Sequence, residues 1–254
     1  MESYATTREV YVAGLVFARV GALVMLIPGI GEAAVPPRVR LGLALLLSLT
    51  LFPLVGPSLP TMPETMSALI GALIREILIG LMIGAMLKLF FSSLAVAGEI
   101  VSLQTTLGFS QTASPMEAQP TTSLSTFLTL MGITLVFATN LHHLFITAIF
   151  GSYSLFEPGR DIPLGDAASL AIQTVGKSFA LGVQLAAPVI VFALVFNIAT
   201  GLIGRLMPQF QVFFVASPLS VIFGLSIFAL SLGMLAMVWV ERYRDLATTF
   251  VGGR

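Results

Sequence analysis

Long runs of apolar residues, separated by short segments rich in proline, glycine and charged residues, dominate the pattern of this chain. A helix that crosses a bilayer needs about 17–25 predominantly apolar residues. Six runs come close to or exceed this length, the second being short: Val10–Ile27, Leu41–Val55, Leu69–Leu87, Leu124–Phe150, Phe179–Ile203 and Val212–Val240. Because backbone inside a bilayer must satisfy its own hydrogen bonds, and because alternation typical of barrel strands is missing, each run is predicted to be a helix. The pattern predicts an all-α integral membrane protein with about six long hydrophobic helices.

One stretch of the chain is too long for a simple span. No proline occurs between Glu64 and Ser114, and a single helix over Leu69–Leu107 would have 39 residues. At about 1.5 Å per residue it would reach roughly 58 Å, nearly twice the thickness of a hydrocarbon core. We expect it to break near Phe90–Ser93, to leave the membrane, or to lie in a protein assembly. A polar stripe on its second half indicates either a seam between helices or a water-facing wall: Ser92, Glu99, Ser102 and Thr106.

Composition narrows the classes of function. Hydrophobic residues make up 57% of the 254 residues and charged residues only 9%, against about 25% charged residues in a typical soluble domain. The zero net charge does not favour binding to nucleic acid. The chain has no cysteine and two adjacent histidines, His142 and His143, which cannot both face one ion on a helix. We therefore expect an interfacial or packed histidine pair, no metal site, no cofactor and no catalytic residues.

Ionisable residues inside the apolar runs are the informative ones, because each costs about 2.5–3.5 kcal/mol or more when it faces lipid. They are Arg19 in the first run, Arg75 and Glu76 in the third, and Lys88 at its end. Adjacent positions on a helix point about 100° apart, so Arg75 and Glu76 should each have a partner on another helix or subunit. An interhelical ion pair and a proton or substrate relay both remain open at this point.

Two further patterns concern helix packing. Gly80 and Gly84 form a G-x-x-x-G motif, which allows two helices to approach closely. In the last two runs, Pro188 should kink the first helix, and Pro208 with Gln209 should form the turn between them. Three residues spaced by four share one face of that first helix and predict a polar, closely packed edge toward a neighbour: Asn197, Gly201 and Arg205.

The basic residues give little information on orientation. If the six runs all span, six basic residues fall on one side and four on the other, a weak bias for the positive-inside rule. The six are Arg8, Arg160, Lys177, Arg242, Arg244 and Arg254, and the four are Arg38, Arg40, Lys88 and Arg205. A multispan protein usually has a clearer asymmetry, so the count weakly supports an unusual placement in the membrane.

Two stretches of the sequence resemble the FliR family of flagellar export proteins and its injectisome counterparts. The first contains Arg19, the segment LIPG at 26–29 and the segment VPPRVRLGLAL at 35–45. The second contains AAP at 186–188, Asn197, GLIGR at 201–205, Pro208-Gln209 and Pro218, and is also similar to the two-helix protein FliQ. Gly98-Glu99, the loop after Gly108-Phe109 and the chain length agree with FliR.

The resemblance implies a non-enzymatic subunit of a type III export gate in the bacterial inner membrane, at the flagellar basal body. FliR-like chains join copies of FliP and FliQ in a helical, ring-like assembly, with FlhB and FlhA as neighbours, and unfolded proteins are exported through it. By this resemblance residues 1–170 are the FliP-like part, and residues 171–254 are the FliQ-like hairpin with its tail.

A role for the one long polar loop also follows from the resemblance. In the family, the loop corresponding to 108–122 helps to plug the closed pore. The residues carried over to this chain are Gly108, Phe109, Ser110, Pro115, Met116, Gln119 and Pro120. A loop broken by proline, with few charges and a soft methionine, can pack in a channel and repack when a substrate passes. A solvent-exposed connection is the alternative for this loop.

Other functions remain as alternatives. An injectisome subunit would have the same architecture and differ in its substrates. A small-solute transporter would need inverted repeats and coupling carboxylates at mid-membrane, and neither is clear in the sequence. An intramembrane enzyme ranks last, because no serine has a histidine at a persuasive spacing.

Overall fold

The computed structural model describes residues 7–107, 122–160, 164–209 and 211–251. These residues contain eight α-helices and no strand, which confirms the all-α class. The helices are α1 (Thr7–Val24), α2 (Pro37–Val55), α3 (Met66–Phe91), α4 (Ser93–Gln104), α5 (Ser123–Ala138), α6 (Leu141–Leu155), α7 (Leu164–Leu206) and α8 (Val212–Thr249). A short 3-10 turn, Gly56–Ser58, follows α2.

Four of the described helical segments are long and apolar enough to cross a membrane, which confirms the membrane class. They are Pro37–Ser58, Met66–Gln104, Gly165–Leu206 and Phe214–Thr249. The first predicted span is not apolar enough to be a candidate membrane span, because the 18 residues of α1 include Arg8, Glu9 and Arg19. By length and composition, the described helices therefore include four candidate spans, or five if α5 and α6 together form one, where the apolar runs indicate six.

The apolar run Leu124–Phe150 is not one helix. It is divided into α5 and α6, which are bent by 76° relative to each other. Asn140, at the bend, has a φ of 58° in the left-handed region, which asparagine tolerates better than most residues. The prediction of a single helix here was wrong because local backbone geometry overrides the continuous apolar composition.

The long proline-free stretch is interrupted at Ser92, which is one of the three outcomes that its length allows. Helices α3 and α4 are separated only by Ser92 and together cover the 39 residues Met66–Gln104. Helices α7 and α8 are also long, with 43 and 38 residues, and they contain Pro188 and Pro218 respectively. The turn between them includes Pro208 and Gln209, as the sequence predicts.

The chain forms two compact units. Unit 1 comprises Met1–Phe90, Val136–Val175 and Tyr243–Arg254, and unit 2 comprises Phe91–Leu135 and Gly176–Arg242. Unit 1 contains α1, α2, α6, all of α3 except Phe91, the end of α5, the start of α7 and the end of α8. Unit 2 contains α4 and most of α5, α7 and α8.

In unit 1, glycines bring α3 against α1. A Cβ atom at Gly80 would collide with the Arg19 carbonyl oxygen and lie 2.9 Å from the Ala22 Cβ atom. A Cβ atom at Gly84 would lie 2.8 Å from the Leu26 Cβ atom. The close approach that the G-x-x-x-G motif predicts is therefore present, and its partner is α1.

The end of α8 closes unit 1. Tyr243 is fully buried, and its hydroxyl donates a hydrogen bond of 3.1 Å to the Leu87 carbonyl oxygen of α3. Its ring packs edge-on against Phe145 of α6 at 5.9 Å between centroids. Gly151 of α6 meets the backbone of Val251, so α3, α6 and the chain after α8 are held together.

Unit 2 is held together by comparable contacts. The fully buried indole of Trp239 in α8 donates to the Ser93 hydroxyl at 3.2 Å and packs edge-on against Phe91 at 5.5 Å. Gly98 of α4 lies against the backbone of Ser125 in α5, with no room for a side chain. The buried indole N–H of Trp239 thus has a partner on a neighbouring helix, as a low-dielectric interior requires.

A glycine-to-alanine pair tests the packing of α1 on α3. Gly80→Ala should lower the midpoint of thermal unfolding of the detergent-purified protein, because overpacking costs about 1–3 kcal/mol. Gly71→Ala is the control on the same helix, since its Cβ would meet no atom within 4 Å. Alanine also favours helix over glycine by up to ~1 kcal/mol, so the control should be neutral or stabilising. Equal midpoints for the two variants would contradict this packing.

Candidate functional site

The most polar buried site in unit 1 surrounds the Arg19 side chain, and we call it the arginine junction. Its members are Arg19 of α1, Glu76 of α3, Ser152 and Tyr153 of α6, and Phe156 just after α6. Arg19 has no exposed surface and Glu76 is 2% exposed. The Arg19 Nε atom donates to the Glu76 carboxylate at 2.5 Å.

The remaining donors of the guanidinium bind the end of α6. Nη1 donates to the Ser152 carbonyl oxygen at 2.9 Å, and Nη2 donates to the Phe156 carbonyl oxygen at 3.1 Å. The Tyr153 ring lies 4.1 Å from the guanidinium carbon, at a distance suited to a cation–π contact. The last carbonyls of a helix carry partial negative charge, so a cation is stabilised there.

Local sequence explains why these groups meet. Glu76 lies one helical turn before Gly80, on the face of α3 that approaches α1 most closely. Arg19 lies on the facing side of α1, where the Gly80 contact involves its own carbonyl oxygen. Gly80 therefore sets the distance between α1 and α3. At this distance the Arg19 guanidinium and the Glu76 carboxylate can form an ion pair between the two helices.

One of the two arrangements that the sequence left open for the buried charges is seen at Glu76. Glu76 is paired with a cation on another helix, so an interhelical ion pair is present. Removing one member of such a pair leaves an uncompensated buried charge, which costs about 3–5 kcal/mol. Arg75, the neighbouring residue on α3, is half-buried, and its helix position is rotated by about 100° from that of Glu76.

The other charged residues on the long helix have different surroundings. Lys88 is exposed on α3. Glu99 is half-buried on α4, and its Oε1 atom accepts a hydrogen bond of 3.0 Å from the Thr122 backbone N–H. The Thr122 hydroxyl in turn accepts from the Ser125 N–H at 3.2 Å, so these two side chains cap the N-terminus of α5.

The polar stripe predicted on α4 is only partly a common surface. Ser92 is exposed, Glu99 is half-buried and Ser102 is buried. Thr106 lies beyond the end of α4 with a φ of 63°, so the helical spacing no longer applies to it. A continuous water-facing wall is therefore not formed by these four residues, because burial changes along the helix and the helix ends at Gln104.

The polar residues predicted on the last hairpin are exposed. This holds for Asn197, Gly201, Arg205 and Gln209. A Cβ atom at Gly201 would meet no atom within 4 Å, so the predicted edge is not packed against the described part of this chain. Asn197 and Gly201 line a cleft of about 280 Å³ whose other polar lining residues are Thr106, Thr200, Ser217 and Ser220.

The loop residues carried over from the family lie outside the described residues. These are Gly108, Phe109, Ser110, Pro115, Met116, Gln119 and Pro120. Their part in a pore plug stays a prediction.

The two histidine rings contact each other, with His142 half-buried and His143 exposed. The ring centroids of His142 and His143 are 4.2 Å apart, and His142 also packs on Phe137 at 5.5 Å. Within the described ranges, no group of three or more histidine, cysteine, aspartate or glutamate side chains is placed to hold a metal ion.

Sequence reasoning missed several members of the buried network. The side chains of Ser152 and Phe156 do not indicate that their backbone carbonyl oxygens bind Arg19. Trp239 and Tyr243 did offer one, because an amphipathic aromatic in an apolar helix usually finds a partner for its polar atom when buried. Pairing them with Ser93 and Leu87 required the tertiary structure.

Large apolar surfaces remain exposed on the long helices. Leu194 and Ile198 of α7 are 61% and 64% exposed, and Leu230 of α8 is 87% exposed. Soluble monomers rarely expose contiguous apolar surface of this kind, so these faces need lipid or protein to cover them.

Comparisons with the sequences of known proteins cover most of the chain. The family model for bacterial export proteins, family 1, matches residues 10–246. The flagellar biosynthetic protein FliR of Caulobacter vibrioides (strain ATCC 19089 / CIP 103742 / CB 15) is 60% identical over 250 residues, 98% of this chain and 100% of the relative. FliR of Aquifex aeolicus (strain VF5) is 31% identical over 93% of this chain and 91% of its own length. FliR of Escherichia coli (strain K12) is 30% identical over 86% and 83% respectively.

A set of substitutions tests the arginine junction. Arg19→Met and Glu76→Met should each strongly lower the thermal midpoint, because each leaves one buried charge unpaired, at about 3–5 kcal/mol. The double variant should be more stable than either single variant, since no lone charge is left. Arg160→Met is the control, because Arg160 pairs with Glu157 on the exposed surface, where such pairs contribute about 1 kcal/mol or less. Additive effects of the two junction substitutions would show that their side chains are not coupled.

Proposed function

Because the chain belongs to the FliR family of bacterial export proteins, we propose that it is a subunit of the export gate through which flagellar proteins leave the cell. The observation that carries this proposal is the extent of the match. The similarity to FliR of Caulobacter vibrioides covers 98% of the chain, including residues of both compact units. An export component acts as a structural and transport protein, and we assign it no catalytic residue.

The gate would be completed by other subunits. We propose FliP and FliQ as the chains that join it, with FlhB and FlhA as neighbours, in the bacterial inner membrane at the flagellar basal body. The exposed apolar faces of α7 and α8 support an assembly, because they are left uncovered by the described part of this chain. The exposed Asn197 and Arg205 on α7 add polar groups that a neighbouring subunit could satisfy.

Helix length also supports an assembly over a lone bundle. The 43 residues of α7 reach about 64 Å at 1.5 Å per residue, roughly twice the thickness of a hydrocarbon core. A helix of this length in a single bilayer protein must leave the membrane or be covered by protein. We propose a FliP-like part at residues 1–170 and a FliQ-like hairpin at 171–254, the hairpin including α7 and α8.

A small-solute transporter is a weaker candidate for a specific reason. Coupled transport needs a carboxylate that can release and rebind an ion near mid-membrane. Glu76 is the most deeply buried described carboxylate, and the Arg19 guanidinium neutralises it. The same guanidinium is held by two carbonyl oxygens of α6, so separating the pair would break several hydrogen bonds at once.

We propose the segment 108–122 as the plug of the closed gate. Its attachment points support this role, since the Glu99 carboxylate holds the Thr122 N–H at one end. At the other end Thr106 has a left-handed φ of 63°, which is rare for a β-branched residue and redirects the chain sharply after α4. A segment held at both ends can change its packing while the helices stay in place.

Co-purification tests the export-gate assignment. An affinity-tagged chain expressed from its native locus should carry FliP and FliQ with it in mild detergent, and deletion of its gene should abolish secretion of flagellar proteins. Arg160→Met should behave as the wild type in both assays. A chain that purifies alone and is dispensable for flagellar secretion would overturn the proposal.

A shortened loop tests the plug. Deleting part of 110–119 should make the closed gate leaky to small ions, measured as ion flux across membranes that contain the assembled gate without a substrate. Replacing Gln111, Thr112 and Ser114 by alanine is the control, because it keeps the loop length and the residues carried over from the family, among them Phe109 and Met116. If the deletion leaves ion flux at the wild-type level, the loop does not plug the pore.

A further inference from the structure

The two ends of unit 1 differ in charge, and contacts between its helices define which residues share an end. The Leu26 side chain, just after α1, lies against Gly84 of α3, one turn before Lys88. The Nη1 atom of Arg40 donates to the Gly31 carbonyl oxygen at 3.3 Å. The segment after α1, the start of α2 and Lys88 therefore lie at the same end, which we call the cationic end.

The start of α6 reaches the same level. The Tyr243 hydroxyl binds the Leu87 carbonyl oxygen, and the Tyr243 ring packs on Phe145. Because Leu87 precedes Lys88 and His142 lies one turn before Phe145, the His142–His143 pair is also near the cationic end. These contacts join residues of unit 1 only.

Cations outnumber acids at this end among the described residues. The cations are Arg38, Arg40 and Lys88, and the connecting segment contributes one acid, Glu32. Arg244 and Asp245, beside Tyr243, contribute one charge of each sign. The opposite end, where Gly56 meets Val12 and Gly159 meets Pro60, has the reverse balance. Its described charged residues are Arg8, Glu9, Glu64, Glu157 and Arg160.

The cations at the start of α2 are followed along the helix by an exposed apolar face. Arg38 is exposed, and Leu41, Leu45 and Leu49 follow it at helical spacing with exposures of 45%, 46% and 65%. The Arg40 Nε atom is buried and has no hydrogen-bond partner among the described residues. The first turn of α2 also has no side-chain cap, because Pro36 precedes it. Positive groups above exposed leucines match a phosphate above acyl chains better than they match a soluble anion.

We propose that the cationic end of unit 1 binds the headgroup phosphates of anionic phospholipids, with the leucine face of α2 against their acyl chains. This inference does not depend on the export-gate assignment, since it follows from the charges and exposed surface of unit 1. Basic residues next to a membrane strengthen binding to anionic lipid by roughly fivefold each.

The test measures phosphatidylglycerol retained by the tagged chain and the subunits that purify with it. The sample is incubated with vesicles of phosphatidylglycerol and phosphatidylcholine, extracted in mild detergent, washed and analysed by lipid mass spectrometry. The variant Arg38→Gln/Arg40→Gln/Lys88→Gln should retain phosphatidylglycerol at least about tenfold less well than the wild type. Phosphatidylcholine retention should not change.

The control variant loses the same number of positive charges at other positions. Arg8→Gln/Arg160→Gln/Lys177→Gln removes three exposed cations that are not part of the cationic end, and it should retain the wild-type amount of lipid. A thermal midpoint checks that both triple variants fold, and the single variant Arg38→Gln gives a milder form if the triple variant does not. Three results overturn the proposal: equal retention by the two triple variants, displacement of the lipid by inorganic phosphate, and loss of a protein subunit from the cationic-end variant with lipid unchanged.

Discussion

The ion pair between Arg19 and Glu76 is the constraint on which unit 1 depends. Both charges are withdrawn from solvent, so each needs the other, and the guanidinium also holds the carbonyl oxygens that end α6. Such a pair adds little net stability compared with well-packed apolar residues, but breaking it is costly. Its consequence is therefore geometric: α1, α3 and α6 can pack in one register only, with Gly80 setting the distance between α1 and α3.

The second constraint is the apolar surface that the described part of this chain leaves uncovered. Helices α7 and α8 expose large apolar side chains along much of their length, while their buried contacts concentrate on a few residues such as Trp239. Long helices with uncovered apolar faces need either lipid or neighbouring subunits against them. Membership of the FliR family gives that surface a biological context, and the neighbours in an export gate would complete it.

Hydrophobic periodicity and composition predicted the helical membrane class, the break near Ser92 and the close approach at Gly80 and Gly84. These features follow from local sequence, because span length, helix packing and small residues are local properties. The 76° bend at Asn140 and the partner of Glu76 were not predictable in the same way. The bend depends on one backbone conformation inside an apolar run, and the ion pair joins residues 57 positions apart. The backbone carbonyls that bind Arg19 could not be predicted from the sequence, because every residue type has a carbonyl oxygen.

The most direct measurement of the central claim is photo-crosslinking from the exposed face of α7 in living cells. A photoreactive amino acid at Ile198, which is 64% exposed in this chain, reports what covers that face. If the chain is one subunit of an export gate, irradiation should link it to another export protein, with a defined band of higher mass. Adducts to lipid alone, with no protein crosslink at Ile198 in a strain that assembles flagella, would contradict the account.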